Sequence, residues 1–263
     1  MPAPLVSIGL EPHVVDAIKQ EVGHIVVHDV LPRAFSRGGQ AFVESPSIWG
    51  KYLRPRGVLY YCYFENPGVV RKALALAETP TFPDVRKTLP HDDKALSLIA
   101  AIEADPGPSV PRGFVPADEE IPIPEGETLV GKWGEWHCGE GKERFQNVAK
   151  TPEPAVLEPF VHGESHRILI VGERAWQLHY ESEDWRKNVG STIKQVELDT
   201  ELVARARKTS ENLGLAVAGI DYIVNDDGAV LLEVNAYPGL DHVDEAEREF
   251  ARLAIEWARK LEE

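Results

Sequence analysis

Apolar and polar positions alternate along the chain with two periods, and the switches between them outline its elements. Residues 5–10 form a short apolar run suited to a buried strand, and Val14, Val15, Ile18 and Val22 then recur at helical spacing. Residues 25–30 predict a second strand, and 58–64 a third that is rich in β-favouring aromatics. Pro67-Gly68 opens a helix running to Ala77. Strand and helix alternating in this way imply a parallel sheet with crossover helices. Residues 31–57 show neither period and are assigned no element.

Further along, Asp92 or Asp93 caps a helix with Ala95, Leu98, Ile99 and Ile102 on one face, which ends at Asp105-Pro-Gly-Pro108. Residues 105–127, crowded with prolines and acids, predict a connection with at most one short strand and the border of a small mobile lobe. Residues 167–171 and 175–180 flank Gly172-Glu173-Arg174 as a hairpin. A helix over 200–213 is closed by Gly214. The last helix, 243–261, carries a packing stripe of Val243, Ala246, Phe250, Leu253, Ala254, Trp257 and Leu261.

Composition narrows the classes. The 263 residues suit one large domain or two modest ones. With 28 Lys and Arg against 43 Asp and Glu, the formal charge is −15, which disfavours nucleic-acid and membrane-surface partners but leaves room for a local basic pocket. Two cysteines, Cys62 and Cys138, are too few for a disulfide framework or a cysteine-rich zinc site. The first residues carry no signal-peptide pattern, and no apolar run approaches the ~20 residues of a membrane span, so the expectation is a cytoplasmic protein.

The most informative stretch runs from Gly219 to Asn235. If Asp226-Asp227-Gly228 is a three-residue hairpin loop, Asn225 pairs with Ala229 and Asp221 with Glu233; a two-residue loop would slip that register by one. Opposed residues share a face, and the period of two adds Asn235 to it. Facing carboxylates destabilise a sheet unless something compensates, either water on a solvated face or a hard divalent cation.

The run Gly219-Ile-Asp221 with Leu-Leu-Glu233-Val-Asn235-Ala-Tyr-Pro-Gly-Leu240 resembles the C-terminal magnesium motif of the ATP-grasp superfamily, in the branch of ribosomal-protein glutamate ligases and glutathione-synthetase-like enzymes. The resemblance implies that Asp221, Glu233 and Asn235 hold Mg²⁺ ions on ATP, two of them, with Mn²⁺ as a substitute. It implies that Glu158, Pro159, Phe160 and Val161 form the segment against adenine, with Val161 supplying an N–H. Glu164 matches the ribose-binding acid, with a one-residue ambiguity along Glu-Ser-His. Lys94 and Lys132 match the two phosphate lysines. Gly134, Gly139 and Gly141 lie in the loop over the phosphates, which departs from the family's small-residue pattern at Trp136, His137 and Cys138. Arg186 and Asn188 resemble a motif near the γ-phosphate. Arg167 matches an arginine beside phosphates or substrate, the alternative being an ion pair with Glu164 or Glu181.

The expected fold is therefore α/β (α+β): a small N-terminal β-α-β domain over 1–90 and an ATP-grasp domain over 91–263. Within the latter, a mobile lid subdomain spans about 94–157 and a metal and nucleotide subdomain about 158–263. The implied activity is a carboxylate–amine ligase that works through an acyl phosphate and releases ADP and phosphate. Its partners would be a small-molecule or peptide carboxylate and an amine, with a homodimer as the family expectation. A phosphotransferase on the same cradle and a non-catalytic ATP-binding module are the alternatives. Lys51, Arg54 and Arg56 are candidate substrate contacts, otherwise simply solvated.

Overall fold

The computed structural model describes residues 3–61, 68–134, 136 and 140–262. It opens with β1 (Leu5–Ile8), α1 (Pro12–Val22) and β2 (Ile25–His28). An antiparallel sheet follows: β3 (Ala34–Arg37), β4 (Gln40–Glu44) and β5 (Tyr52–Leu53), all within the stretch that showed no sequence period. Its concealment has a physical cause. The buried face carries only the small or branched Ala41 and Val43, whereas Phe35 stacks on Phe42 at 4.9 Å and meets the Tyr52 edge on the outer face. The apolar contrast that marks a half-buried strand is thus inverted. Lys51, Arg54 and Arg56 lie here and none lines the main cleft; Arg54 bonds Gln40 and Arg56 pairs with Glu262.

The chain returns to the first sheet through β6 (Gly57–Tyr60), α2 (Gly68–Leu76) and β7 (Thr81–Phe82). The order β2-β1-β6-β7 is parallel throughout, as the strand–helix rhythm predicts. β1 and β6 are buried at every position, which is why they read as unbroken apolar runs. Cys62 and Pro67 lie outside the described residues.

After α3 (Val85–Thr88) and a 3₁₀ turn at Leu89–Asp92 comes α4 (Lys94–Ala104), capped by Asp93, whose side chain accepts from the Leu96 N–H at 2.9 Å. Its buried stripe is Ser97, Leu98, Ala101 and Ala104. Ile99 is 54% exposed, contrary to the expected face. A polar Ser97 at a core position disguises the stripe; it is tolerated because its hydroxyl donates to Val234 O.

Residues 105–127 hold two short strands rather than one, β8 (Gly113–Val115) and β9 (Ile121–Pro122). With β10 (Leu129–Trp133), β11 (Lys142–Phe145), β12 (Val148–Ala149) and β13 (Ala155–Pro159) they make an antiparallel sheet, β11-β10-β13-β8, and a β9–β12 ribbon. The period of two separates its faces. Leu129, Phe145 and Leu157 pack with Ile123 and Ala149 in a small core, while Val130, Lys132, Lys142, Arg144 and Glu158 share the other side.

The largest sheet is antiparallel, β16-β15-β14-β17-β18, built from β14 (Glu164–Val171), β15 (Arg174–Glu181), β16 (Thr192–Val196), β17 (Val217–Asn225) and β18 (Gly228–Asn235). The β14–β15 loop is two residues, Gly172-Glu173, since Val171 pairs with Arg174, one residue shorter than expected. α5 (Thr200–Leu213) is capped by Asp199, closed by the left-handed Gly214, and packs with α4 against Ile168, Ile170, Ala218 and Ile220. α6 (Asp244–Lys260) covers the opposite face through Ala246, Phe250 and Ala254, in one apolar cluster with Val14, Val15 and Ile18 of α1. The N-terminal unit and the large sheet thus share a core through α1 and α6.

His91 sits where α4 meets the N-terminal unit, its Nδ1 2.7 Å from Ser97 Oγ. Burial, with Lys94 and Arg71 nearby, holds its pKa down to about 4. The unfolded chain binds a proton below about pH 6.5 and the folded chain does not, so stability falls as pH drops from 6.5 toward 4. The expected loss is up to about 3 kcal/mol. Urea unfolding at pH 7, 6 and 5 should show this slope, and His91→Asn should flatten it.

Candidate functional site

A cleft lies between the polar face of the β10–β13 sheet and the large sheet. Lys132, Lys142, Glu158 and Val130 line one wall; Ser165, Asp221, Ile223 and Glu233 line the other. Pro159, Phe160 and Val161 close one side, and Arg186, Lys187 and Asn188 another.

The carboxylate pair is present, reached by a route the loop alone does not give. Asn225 pairs with Gly228, so the loop is the two residues Asp226-Asp227, which by itself would throw the register off by one. A β-bulge restores it: Tyr222 faces Leu231 and Asp221 faces Glu233, leaving Leu232 unopposed. Asn235 joins them, its Nδ2 donating to Asp221 Oδ2 at 3.3 Å and Glu233 Oε1 at 3.2 Å.

Cations surround this pair. Arg167, directly across from Asp221 on β14, donates Nε and a terminal nitrogen to its two oxygens at 2.6 and 2.8 Å. This is the ion pair Arg167 makes, in place of one with Glu164 or Glu181. Gly219 makes room for it, because a Cβ there would stand 2.8 Å from Pro238 and 3.2 Å from Arg167 Cδ. Lys94 donates to Asn235 Oδ1 at 2.9 Å from the first turn of α4. Burial alone would push the Glu233 carboxyl up, but Lys94, Lys142 and Lys132 prevail and hold it well below the usual range. For Asp221, burial outweighs Arg167 and pushes it up.

Among the described residues Glu233 Oε2 is buried with no hydrogen-bond partner. An unsatisfied carboxylate oxygen is costly inside a protein. Two carboxylates and an amide oxygen are the hard donors a cation such as Mg²⁺ takes, and the open oxygen of Glu233 is where such an ion fits. In this arrangement Asn235 Oδ1 and both Asp221 oxygens are already engaged by Lys94 and Arg167.

Lys132 and Glu158 are each about 5% exposed and form an ion pair across the wall. Arg112 adds a second cation to Glu158 at 2.7 Å and donates to Leu231 O at 2.6 Å, tying the wall to the bulge. Burial raises the Glu158 carboxyl, and Lys132 with Arg112 more than offset it. Phe160 spends its N–H on Thr128 O at 2.9 Å. The Arg144 guanidinium sits 5.0 Å from the Phe160 ring centre and 5.1 Å from that of Trp185, a cation–π contact to two rings that meet edge to face at 6.0 Å.

In the 182–190 loop, Asp184 accepts from the Arg186 backbone N–H and guanidinium at 2.7–3.0 Å, and its pKa falls to about 2 through that pairing. Asn188 N–H bonds back to Arg186 O. Gly141 is left-handed at φ +60°, where a Cβ would meet Trp133 O at 2.0 Å. Trp136 is 4% exposed and packs with Leu98, Ala101 and Val156, so the bulk that departs from the family pattern fills core. Gly139, His137 and Cys138 lie outside the described residues.

Glu164 is not brought into the cleft. Ser165 lines it, and alternation turns Glu164 and His166 to the other face of the sheet. There Glu164, His166 and His179 hold ligand-type atoms within 4.8 Å of one another. Gln177 Oε1 accepts from Asp199 N–H at 2.8 Å, which aims its amide NH₂ at His166 Nδ1, 3.2 Å away. The proton is thus left on Nε2, facing Glu164 at 3.5 Å, and that nitrogen is not free to coordinate a metal.

Spacing along the chain did not reveal Lys142, Arg112 or Arg144. Lys142 reaches the cleft, and Arg144 the bordering rings of Phe160 and Trp185, only through the β10–β11 register, and Arg112 lies in a proline-rich connection without a period.

The comparisons with known proteins agree with this geometry. The fold aligns with macrocyclase MdnC bound with precursor peptide MdnA from Microcystis aeruginosa MRC, at TM-score 0.61 and 12% identity over 96% of this chain and 99% of that one. It aligns equally with the ATP-grasp ligase PsnB complexed with minimal precursor, Mg and ADP: TM-score 0.61, 14% identity, 100% and 99% coverage. The architecture is therefore an ATP-grasp fold with its lid. Residues 159–258 match the RimK-like ATP-grasp domain. A "Probable alpha-L-glutamate ligase" of Haemophilus ducreyi (strain 35000HP / ATCC 700724) is 32% identical over 122 residues, 43% of this chain and 40% of that protein. The chain has the ATP-grasp fold, and over these segments it is similar to the RimK-like domain and to alpha-L-glutamate ligases. The matched segments span less than half the length of these curated relatives.

Breaking the Arg112–Glu158 pair should be expensive, since both side chains are under a tenth exposed. Arg112→Met is expected to cost about 3 kcal/mol in urea unfolding. Lys150→Met, which breaks the exposed pair with Glu120, should cost under about 0.5 kcal/mol.

Proposed function

We propose that this protein is an ATP- and Mg²⁺-dependent ligase that joins a carboxylate to an amine through an acyl phosphate, releasing ADP and phosphate. One observation carries the reading: the open Glu233 oxygen beside Asp221 and Asn235, facing Lys132 and Lys142 across a cleft bounded by the 159–161 segment. A mainly acidic chain has gathered cations where a polyphosphate would lie. The names of its relatives, alpha-L-glutamate ligases and ligases solved with precursor peptides, support a peptide or amino-acid carboxylate as substrate.

Adenine would lie along Glu158, Pro159, Phe160 and Val161, with Lys94 and Lys132 on the phosphates. A substrate carboxylate oxygen attacks the γ-phosphorus, the bond to the β,γ-bridging oxygen breaks, and ADP is formed. The amine nitrogen then attacks the acyl carbon, phosphate leaves with the C–O bond electrons, and the nitrogen gives up a proton. Asp221, Glu233 and Asn235 would hold Mg²⁺, which neutralises charge on the phosphoryl oxygens when bound. Arg186 and Asn188, which line the cleft, would orient the same oxygens, and Arg167 holds Asp221 in place. The protein's contribution is positioning and electrostatics.

The test supplies Mg²⁺, ATP and a fractionated peptide and metabolite extract, and follows ADP, phosphate and new masses. The expected product is two components joined with loss of water, with ADP and phosphate in equal amounts. Glu233→Gln should lower turnover on the order of 100-fold. A phosphorylated product without free phosphate would establish a phosphotransferase instead, and ATP binding without any product would favour a non-catalytic module.

A further inference from the structure

Lys132 and Lys142 stand directly opposite each other on β10 and β11, on the cleft face of the lid sheet. Like charges so placed destabilise a strand pair. Lys132 is neutralised by its ion pair with Glu158. Lys142 is half-buried, and among the described residues its ammonium has no hydrogen bond or ion pair. Burial, with Lys132 and Lys94 adding to it, pulls its pKa down, against the more distant attraction of Glu233 and Asp221. An unpaired cation held beside two others is a poor device for stability. The backbone enforces the arrangement: Gly141 packs its left-handed turn onto Trp133 O, and Trp133 N–H donates to Gly141 O at 2.8 Å, so the strand pair cannot turn Lys142 away.

Its place in the cleft says which anion it serves. Lys132 is drawn toward Glu158, next to the 159–161 segment. Both lysines act on Glu233, but Lys132 is already spent on Glu158, so Lys142 is the one left for an anion beside Glu233 and Asp221. We propose, building on the nucleotide reading above, that Lys142 is a third phosphate-binding cation that holds the terminal, transferable phosphoryl group of the triphosphate. It makes the site favour triphosphate over diphosphate, and its strain in the empty cleft is relieved when the γ-phosphate arrives.

The test measures binding of ADP and of a non-hydrolysable ATP analogue with an NH bridge, each with Mg²⁺, by calorimetry, together with the melting temperature of the nucleotide-free protein. Lys142→Met is expected to weaken the ATP analogue by about tenfold or more and ADP by less than about threefold. Without nucleotide it should melt higher than wild type, on the order of 3 °C, because a like-charge contact is gone. Lys142→Arg should keep the triphosphate preference within about threefold and show no gain in melting temperature. Equal weakening of both nucleotides, unchanged binding of both, or a lower melting temperature in Lys142→Met would each overturn the assignment. A wild-type chain that binds neither nucleotide would instead overturn the nucleotide reading itself, and the role of Lys142 with it.

Discussion

Two carboxylates, Asp221 and Glu233, face each other on one sheet at the base of the cleft, and the surrounding structure answers their repulsion. Left unpaired, either would be expensive to keep ionised. The compensation comes from four separate elements. Arg167 reaches across from β14, Lys94 from the first turn of α4, and Lys132 and Lys142 from the lid sheet, although burial of the Lys142 ammonium outweighs the attraction it gains from the pair. Because α4 and the lid are joined to the large sheet partly by this charge, cleft geometry and electrostatics are one problem. Arg112, bonded to Glu158 and to the carbonyl of Leu231, extends the same network to the bulge that sets the carboxylate register.

This arrangement resolves an apparent conflict between the overall charge and the chemistry. A chain of net charge −15 repels anions at long range. Within the cleft, lining side chains include Arg112, Lys132, Lys142, Arg186 and Lys187 against the carboxylates Glu158, Asp221 and Glu233. Salt screens interactions between exposed charges over about 8 Å at physiological strength, but much less inside a walled site, so the local set governs what binds. On the proposed reading, that contrast would favour a small polyanion able to enter the cleft.

The fold was legible where elements are buried on both faces or carry a strong stripe, as in β1, β6, α5 and α6. It was illegible where burial is inverted. The β3–β5 sheet hides Ala41 and Val43 beneath a half-exposed aromatic cluster, and Ser97 occupies a core position on α4. Asp221, Glu233 and Asn235 were singled out by the hairpin's period of two, and Lys94 and Arg167 by the family resemblance; the structure brings them together. Glu164 lost its place to Ser165 by one step of alternation. Lys142 needed a strand register that depends on the loop between two strands, which no spacing rule supplies.

The carboxylate hairpin shows how a pairing can be right for an incomplete reason. A three-residue loop would align Asp221 with Glu233 directly; the chain instead uses two loop residues and inserts Leu232 further along the strand. Both routes give the same register beyond the bulge, but they differ in what they leave behind. The bulge places Leu232 unopposed at the cleft wall, and Arg112 fastens onto the neighbouring carbonyl of Leu231. A turn at the hairpin tip could have set the register with no contact to the lid. Setting it within the strand puts the irregularity where the lid can hold it, and the alignment of the two carboxylates then depends on the same arginine that neutralises Glu158.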